Sequence, residues 1–382
     1  MSGVELDEKA RAKVSGDSDF PGLDAIDLAD LEGIRLFLEG GSVIDWYRLH
    51  FDSEEKIRRF LSAQEIDLDD PADMQRVENV KAEAIDYLKR HFDFPIPAAI
   101  AEMDLVGLLK LASGKGHRQL CACAILKVMQ IIQHLESREL LFMLPTSDEE
   151  VFHLVERKVY RVVGEALRRG APILEFIGGR KNKDSLYTKL LSKPDVTAAQ
   201  IYDKLRFRVV TEKREDILRV LNYLQNEVVP FNFTVPGQST NSLLSLEAFC
   251  EAQPHLAALY EQLQNFEPDD EEGEVVENVF SARDYRVVHF VVDMPVRLPE
   301  SILVHAPPQA LALGRVIFVQ TEFQILDSET ARMNQRGAAN HAAYKARQHE
   351  AVARRLKVGK LVRAPNSNSG SPSSGNSPKG GG

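Results

Sequence analysis

Between Leu31 and Leu167 the apolar residues recur at helical spacing: Leu126, Met129, Ile132 and Leu135 form one run, and Val155, Val159, Val162 and Leu167 another. This half is therefore expected to be mostly helical, with its stripes, Trp46 and Phe51 included, serving as packing surface. After Gly170 the texture changes to short apolar or alternating runs: LRFRVV at 205–210, YRVVHFVV at 285–292 and RVIFVQTEFQI at 315–325. Helical stretches separate them, one predicted over Glu215 to Gln225 and another from near Ser328 through the Ala-rich AANHAAYKARQHEAVARRL. The pattern predicts an α+β chain, a helical region over 31–167 followed by a mixed-sheet domain over 168–358 with flanking helices.

Both ends read differently. Residues 1–30 are acidic and patternless, and 364–382 form a Ser/Gly/Pro tract; neither has the apolar content to order itself, so both are expected to be mobile. The acidic run EPDDEEGEVVE after Phe266 is expected to be a solvated loop. A length of 382 residues exceeds what one core usually fills, which agrees with two folded regions. With 44% hydrophobic and 27% charged residues the chain falls among ordinary globular proteins. No apolar run approaches bilayer length, and the polar start lacks a signal-peptide pattern, so a cytoplasmic location is expected. A formal net charge of -10 argues against a surface that binds nucleic acid as a whole, DNA included, while leaving room for a local basic pocket. Cys121, Cys123 and Cys250 form neither an even framework nor CxxC pairs, and His117 beside them reads as an ordinary loop histidine rather than a zinc ligand.

Candidate chemistry gathers in the second half. Phosphoryl or pyrophosphoryl transfer needs cations for a phosphate chain, carboxylates for magnesium, and a device that fixes the acceptor hydroxyl. GGRKNKDSLYTK supplies Arg180, Lys181, Lys183 and Lys189 ahead of and on a predicted helix; alone, such a cluster is as well explained as solvated surface. Asp203 precedes the predicted strand that carries Arg208. Glu322 and Gln324 share a face of another strand, and an acid within an otherwise apolar strand is costly unless paired or metal-bound, although a water-facing strand would also accommodate it. Tyr285, Arg286 and His289 open a third strand, where a ring can stack on a base and the cations can reach phosphates.

Read in order, these segments resemble the synthetase domain shared by RelA/SpoT proteins and small alarmone synthetases, a nucleotidyltransferase-like fold, over about 170 residues. The family's G-R-x-K and S-x-x-x-K stretch is matched by Ser185 and Lys189, but Arg180 stands one residue too close to Ser185, leaving the nucleotide-gripping role to Arg180 or Lys181. D-L-x-G-x-R-V appears as DKLRFRVV, with Arg206 in place of the glycine. The acceptor motif G-Y-x-S-L-H becomes DYRVVHF, without the preceding N-P-K-x-N segment. E-I-Q-I-R-T becomes EFQILD, with Leu326 in place of the arginine, and RGAANHAAYK retains Gly337, Ala339, His341, Tyr344 and Lys345 of a long-family signature, with Gln335 where a glutamate is usual.

The resemblance implies an ATP:GTP 3'-diphosphotransferase of guanosine tetraphosphate metabolism and the stringent response. Asp203 and Glu322 would hold Mg2+, Glu322 would assist deprotonation, and Lys189 with Arg180 or Lys181 would neutralise the ATP phosphates. Arg208 would stack on adenine, Tyr285 on the base of GDP or GTP, and Arg286 and His289 would meet the acceptor phosphates. The departures leave two alternatives open: a non-catalytic nucleotide-binding regulator, or a toxin-like synthetase acting on an adenine nucleotide or tRNA. The adjacent His-Asp pair of the family's hydrolase half is absent, so alarmone hydrolysis is not expected.

Overall fold

The structure is a computed structural model of the 382-residue chain, and it describes residues 4–5, 18–39, 49–181, 183–192, 204–264, 285–336 and 341–356. Trp46, Asp203, Gly337, the acidic run after Phe266 and the C-terminal tract lie outside the described residues.

The first half is helical: α1 (Leu28–Glu39), α2 (Glu54–Ala63), α3 (Pro71–Phe92), α4 (Ala98–Ala101), α5 (Leu105–Ala112), α6 (His117–Met143) and α7 (Asp148–Arg168). Local chemistry sets their ends. Asp70 caps α3 just ahead of Pro71, whose missing N–H costs nothing at a first helical position. Ser147 and Glu150 form a reciprocal capping box that starts α7.

Among the described residues six strands make one sheet: β1 (Val4–Glu5), β2 (Ile173–Arg180), β3 (Leu205–Thr211), β4 (Thr240–Asn241), β5 (Val288–Arg297) and β6 (Val316–Asp327), in the order β1-β2-β3-β6-β5-β4. The β3–β6 pair is parallel and the others are antiparallel, so the sheet is mixed. Helices α8 (Lys183–Ser192), α9 (Asp216–Glu227), α10 (Leu246–Glu251), α11 (Pro254–Gln264), α12 (Glu300–Leu303), α13 (Pro308–Ala312), α14 (Ser328–Asn334) and α15 (His341–Arg355) complete the α+β fold.

Period-two alternation divides the sheet into a core face and a working face. On the core face Phe176, Phe207, Phe323 and Phe290 stand on successive strands with centroids 5.6, 5.6 and 5.4 Å apart, and Phe37 of α1 stacks on Phe290 at 4.7 Å. Helices α1, α7 and α9 add their apolar stripes to this core. A second core joins α2, α3, α5 and the first part of α6, from Leu36 to Met129. The boundary between the two falls inside elements: Leu36 of α1 belongs to the helical core while Phe37 belongs to the sheet core, and α6 gives Cys121–Met129 to one and Leu140 to the other. Within the stretch expected to be a mobile acidic start, Phe20 and Ile26 are buried in the sheet core, because two apolar side chains suffice to dock a short segment that carries acids on its outer side.

Candidate active site

The working face is built from β3, β6 and β5. In the ladder Arg206 of β3 stands opposite Glu322 of β6, which stands opposite Val291 of β5; two residues along, the row is Arg208, Gln324 and His289. Their core-face neighbours Phe207, Phe323 and Phe290 are fully buried, which fixes the register: a slip of one residue would bury these polar side chains against the aromatic row.

Glu322 is only 3% exposed. The Gln324 amide donates to Glu322 Oε1 at 2.6 Å, and His289 Nε2 lies 3.3 Å from the same oxygen. An amide donor and an imidazole thus aim the carboxylate. Arg208 places Nε 3.9 Å from Glu175 Oε1 of β2. Tyr285 stands close enough to feel Arg208, Arg206 and Glu322: burial pushes its hydroxyl above the usual tyrosine value, the two guanidiniums oppose that rise and Glu322 adds to it. The phenol therefore stays neutral at physiological pH, available as a ring and a hydrogen-bond donor.

Tyr285 and Arg286 were expected to open a strand; the strand starts at Val288, and the preceding three residues are held by side chains instead. Ser242 Oγ donates to Tyr285 O at 3.2 Å and accepts from Val287 N–H at 3.0 Å. Asn334, at the end of α14, brackets Arg286 by accepting from its N–H at 3.1 Å and donating to its carbonyl at 2.7 Å. Neither Ser242 nor Asn334 carried a signal in the sequence, since each acts on backbone more than 40 residues away. The Arg286 side chain itself is exposed.

The remaining candidates divide. Arg180 pairs with Leu205 in the ladder and so points to the core-face side, where it donates to both Glu156 oxygens of α7 at 2.9 and 2.7 Å and approaches Glu149 at 3.6 Å. These carboxylates, the Glu156 hydrogen bonds first, hold its guanidinium pKa above the usual arginine value. Lys181 follows the strand, its N–H donating to Lys204 O at 3.0 Å. Ser185 and Lys189 sit one turn apart on α8, both half-buried. Helix α15, which begins with His341, Tyr344 and Lys345, packs on α8, with Arg355 donating to Leu191 O at 3.1 Å. At the other end of the working face α6 lies across the sheet, His134 resting on Phe233 and Phe318 with Nε2 3.3 Å from Asp293.

Comparison with known proteins gives no matching family model and no matching curated protein. Solved structures do align. The small alarmone synthetase 2 from Bacillus subtilis is 16% identical, with 56% of this chain and 98% of that one covered at a TM-score of 0.28. The small alarmone synthetase 1 from Bacillus subtilis bound to its product pppGpp is 13% identical over 56% and 90% of the two chains, at 0.31. A GTP pyrophosphokinase family protein from Streptococcus pneumoniae is 12% identical over 56% and 86%, at 0.28. Over that share the chain is similar to small alarmone synthetases at low identity. Of the residues matched to alarmone-synthetase motifs, Arg208, Glu322, Gln324 and His289 gather at the working face by this chain's own register and contacts, and Tyr285 lies within electrostatic range of Arg208 and Glu322. Among the described residues no helix is long and apolar enough to cross a membrane.

Proposed function

We propose that this chain is an alarmone synthetase that transfers the pyrophosphoryl group of ATP to the 3'-hydroxyl of GDP or GTP. The observation that carries the reading is the buried Glu322 carboxylate, held by Gln324 and His289 on a face that also bears Arg206 and Arg208, with Tyr285 within electrostatic range. A carboxylate this deep is costly unless it is paired, hydrogen-bonded or metal-bound. The motif order in the sequence supports the same reading.

Magnesium usually takes one or two protein carboxylates and completes its shell with phosphate oxygens and water. Two carboxylates, Glu322 and Asp203, would suit an ion shared with a nucleotide rather than a protein-only cage. Glu322 and Asp203 would hold it, and it would neutralise charge on the phosphate chain. Glu322 accepts the proton of the acceptor 3'-hydroxyl while that oxygen bonds to the β-phosphorus of ATP and AMP departs. Tyr285 stacks the acceptor base, Arg208 stacks on adenine, and Lys189 with Lys181 neutralises donor phosphates.

The test is incubation with magnesium, labelled ATP and, separately, GDP, GTP, AMP or tRNA, with products resolved by chromatography beside Glu322→Gln. A 3'-pyrophosphorylated guanine nucleotide that disappears in the variant is the expected result. Transfer only to AMP or tRNA moves the protein to the toxin-like branch. A second reading, nucleotide binding without turnover, is favoured by the engagement of Arg180 with Glu156, and binding with no transfer to any acceptor would establish it.

A further inference from the structure

Arg206 occupies the position where the family pattern has glycine, and its surroundings are unusual for an arginine in mid-sheet. It is half-buried and stands opposite Glu322 in the ladder, and its side chain makes neither an ion pair nor a hydrogen bond among the described residues. A half-buried guanidinium with no carboxylate paired to it keeps its donors for an oxygen-rich ligand. Space for that anion exists. Gly179, its ladder neighbour on β2, leaves room beside it: among the described residues no atom lies within 4 Å of where a β-carbon would stand. Across the face Tyr285 lies within the field of both Arg206 and Arg208.

Arg180 supplies no cation to this face. That arginine, one strand away, is turned to the opposite side of the sheet and bound by both Glu156 oxygens. The cations on this face are carried by β3, as Arg206 and Arg208.

Resting on the synthetase reading, we propose that Arg206 is a substrate-binding residue whose guanidinium grips the phosphate chain of a nucleoside polyphosphate, supplying from β3 the charge that Arg180 does not bring to this face. A planar fork with five donors suits bidentate capture of phosphate oxygens, and the glycine of the family pattern could not provide it. The chemistry is shared by the donor triphosphate and the acceptor diphosphate, so the experiment separates them.

Purified wild type, Arg206→Gly and Arg206→Lys are titrated calorimetrically with a non-hydrolysable ATP analogue, with GDP, and with adenosine and guanosine as phosphate-free controls. Thermal melts confirm that each variant folds. Arg206→Gly is expected to weaken at least one polyphosphate about tenfold or more while its parent nucleoside binds as before, and Arg206→Lys to recover part of the loss. The weakened ligand identifies the phosphate chain that Arg206 holds. Unchanged affinity for both polyphosphates in Arg206→Gly overturns the assignment while leaving the synthetase reading intact. Failure of the wild type to bind either polyphosphate sinks the synthetase reading, and this inference with it.

Discussion

Glu322 is held in a geometry that separates its charge from its shape. Glu322→Gln keeps the volume and can still accept from Gln324, so the fold should survive with a melting temperature within a few degrees of wild type. The general base is gone, and pyrophosphoryl transfer should fall by about 10² to 10⁴. Gln324→Ala removes the 2.6 Å donor but not the base; kcat is expected to drop about tenfold with acceptor KM little changed, as for a residue that acts through another. Arg180 and Lys181 make a matched pair of tests. Arg180→Ala breaks a bidentate ion pair with Glu156 and should lower stability by about 1 to 2 kcal/mol, seen in denaturant unfolding, with little change in ATP-analogue affinity. Lys181→Ala should do the reverse, and the opposite pairing of effects would return the nucleotide-gripping role to Arg180.

At the scale of elements, alternation and helical spacing made much of the sheet domain legible. The runs at 205–210 and 315–325 appear as Leu205–Thr211 and Val316–Asp327, and the expected helix from Glu215 appears as Asp216–Glu227. Alternation also put Glu322 and Gln324 on one face. The pattern of ILEFIGGR does not mark strand β2, because it ends in two glycines and a basic cluster; its conformation comes from pairing with β3, some 30 residues away. The face of Arg180 followed from that unseen strand and was equally hidden. The long helix expected from Ser328 begins as α14, which ends at Asn334, before α15 starts at His341.

That short α14 positions Asn334, and its start depends on Asp327, which accepts from the Thr330 amide at 2.8 Å and the Thr330 hydroxyl at 2.7 Å. Burial pushes the Asp327 carboxyl up, but the two Thr330 hydrogen bonds together with Arg214 outweigh it and hold it below the usual carboxylate range. A depressed carboxyl stabilises fully above its unfolded value and loses that contribution as pH falls through its lower folded value. Wild type should therefore lose more stability than Asp327→Asn between about pH 5 and pH 2, measured as the shift in urea midpoint. At neutral pH Asp327→Ala should cost about 1 kcal/mol and, by loosening the Asn334 bracket on Arg286, raise acceptor KM.

For the whole molecule the question is how two cores become one body, and the end of α2 supplies a joint. The Glu65 N–H bonds Ser62 O at 2.9 Å and the Ile66 N–H bonds Leu61 O at 3.0 Å, a helix ending that places Glu65 at φ 63°, where glycine is usual. What Glu65 gains is Lys158. That lysine, buried on α7 in the sheet core, lies 2.6 Å from Glu65 Oε1 and donates to Ala63 O at 3.3 Å and Pro295 O at 2.8 Å. Arg297 of β5 adds a bond to Glu65 O at 2.6 Å and another to Asp73 of α3 at 3.2 Å. Glu65→Gly relieves a left-handed backbone by about 1 kcal/mol but leaves a buried ammonium without its counter-charge, a loss of about 3 to 5 kcal/mol. The second term is larger, so Glu65→Gly should destabilise by roughly 2 to 4 kcal/mol in urea unfolding. The double variant Glu65→Gly, Lys158→Met removes the stranded charge as well as the strain and should recover most of that loss. A Glu65→Gly protein more stable than wild type would mean that the backbone strain outweighs the pair, and that the two cores are held together chiefly by the helices α1 and α6 that run through both.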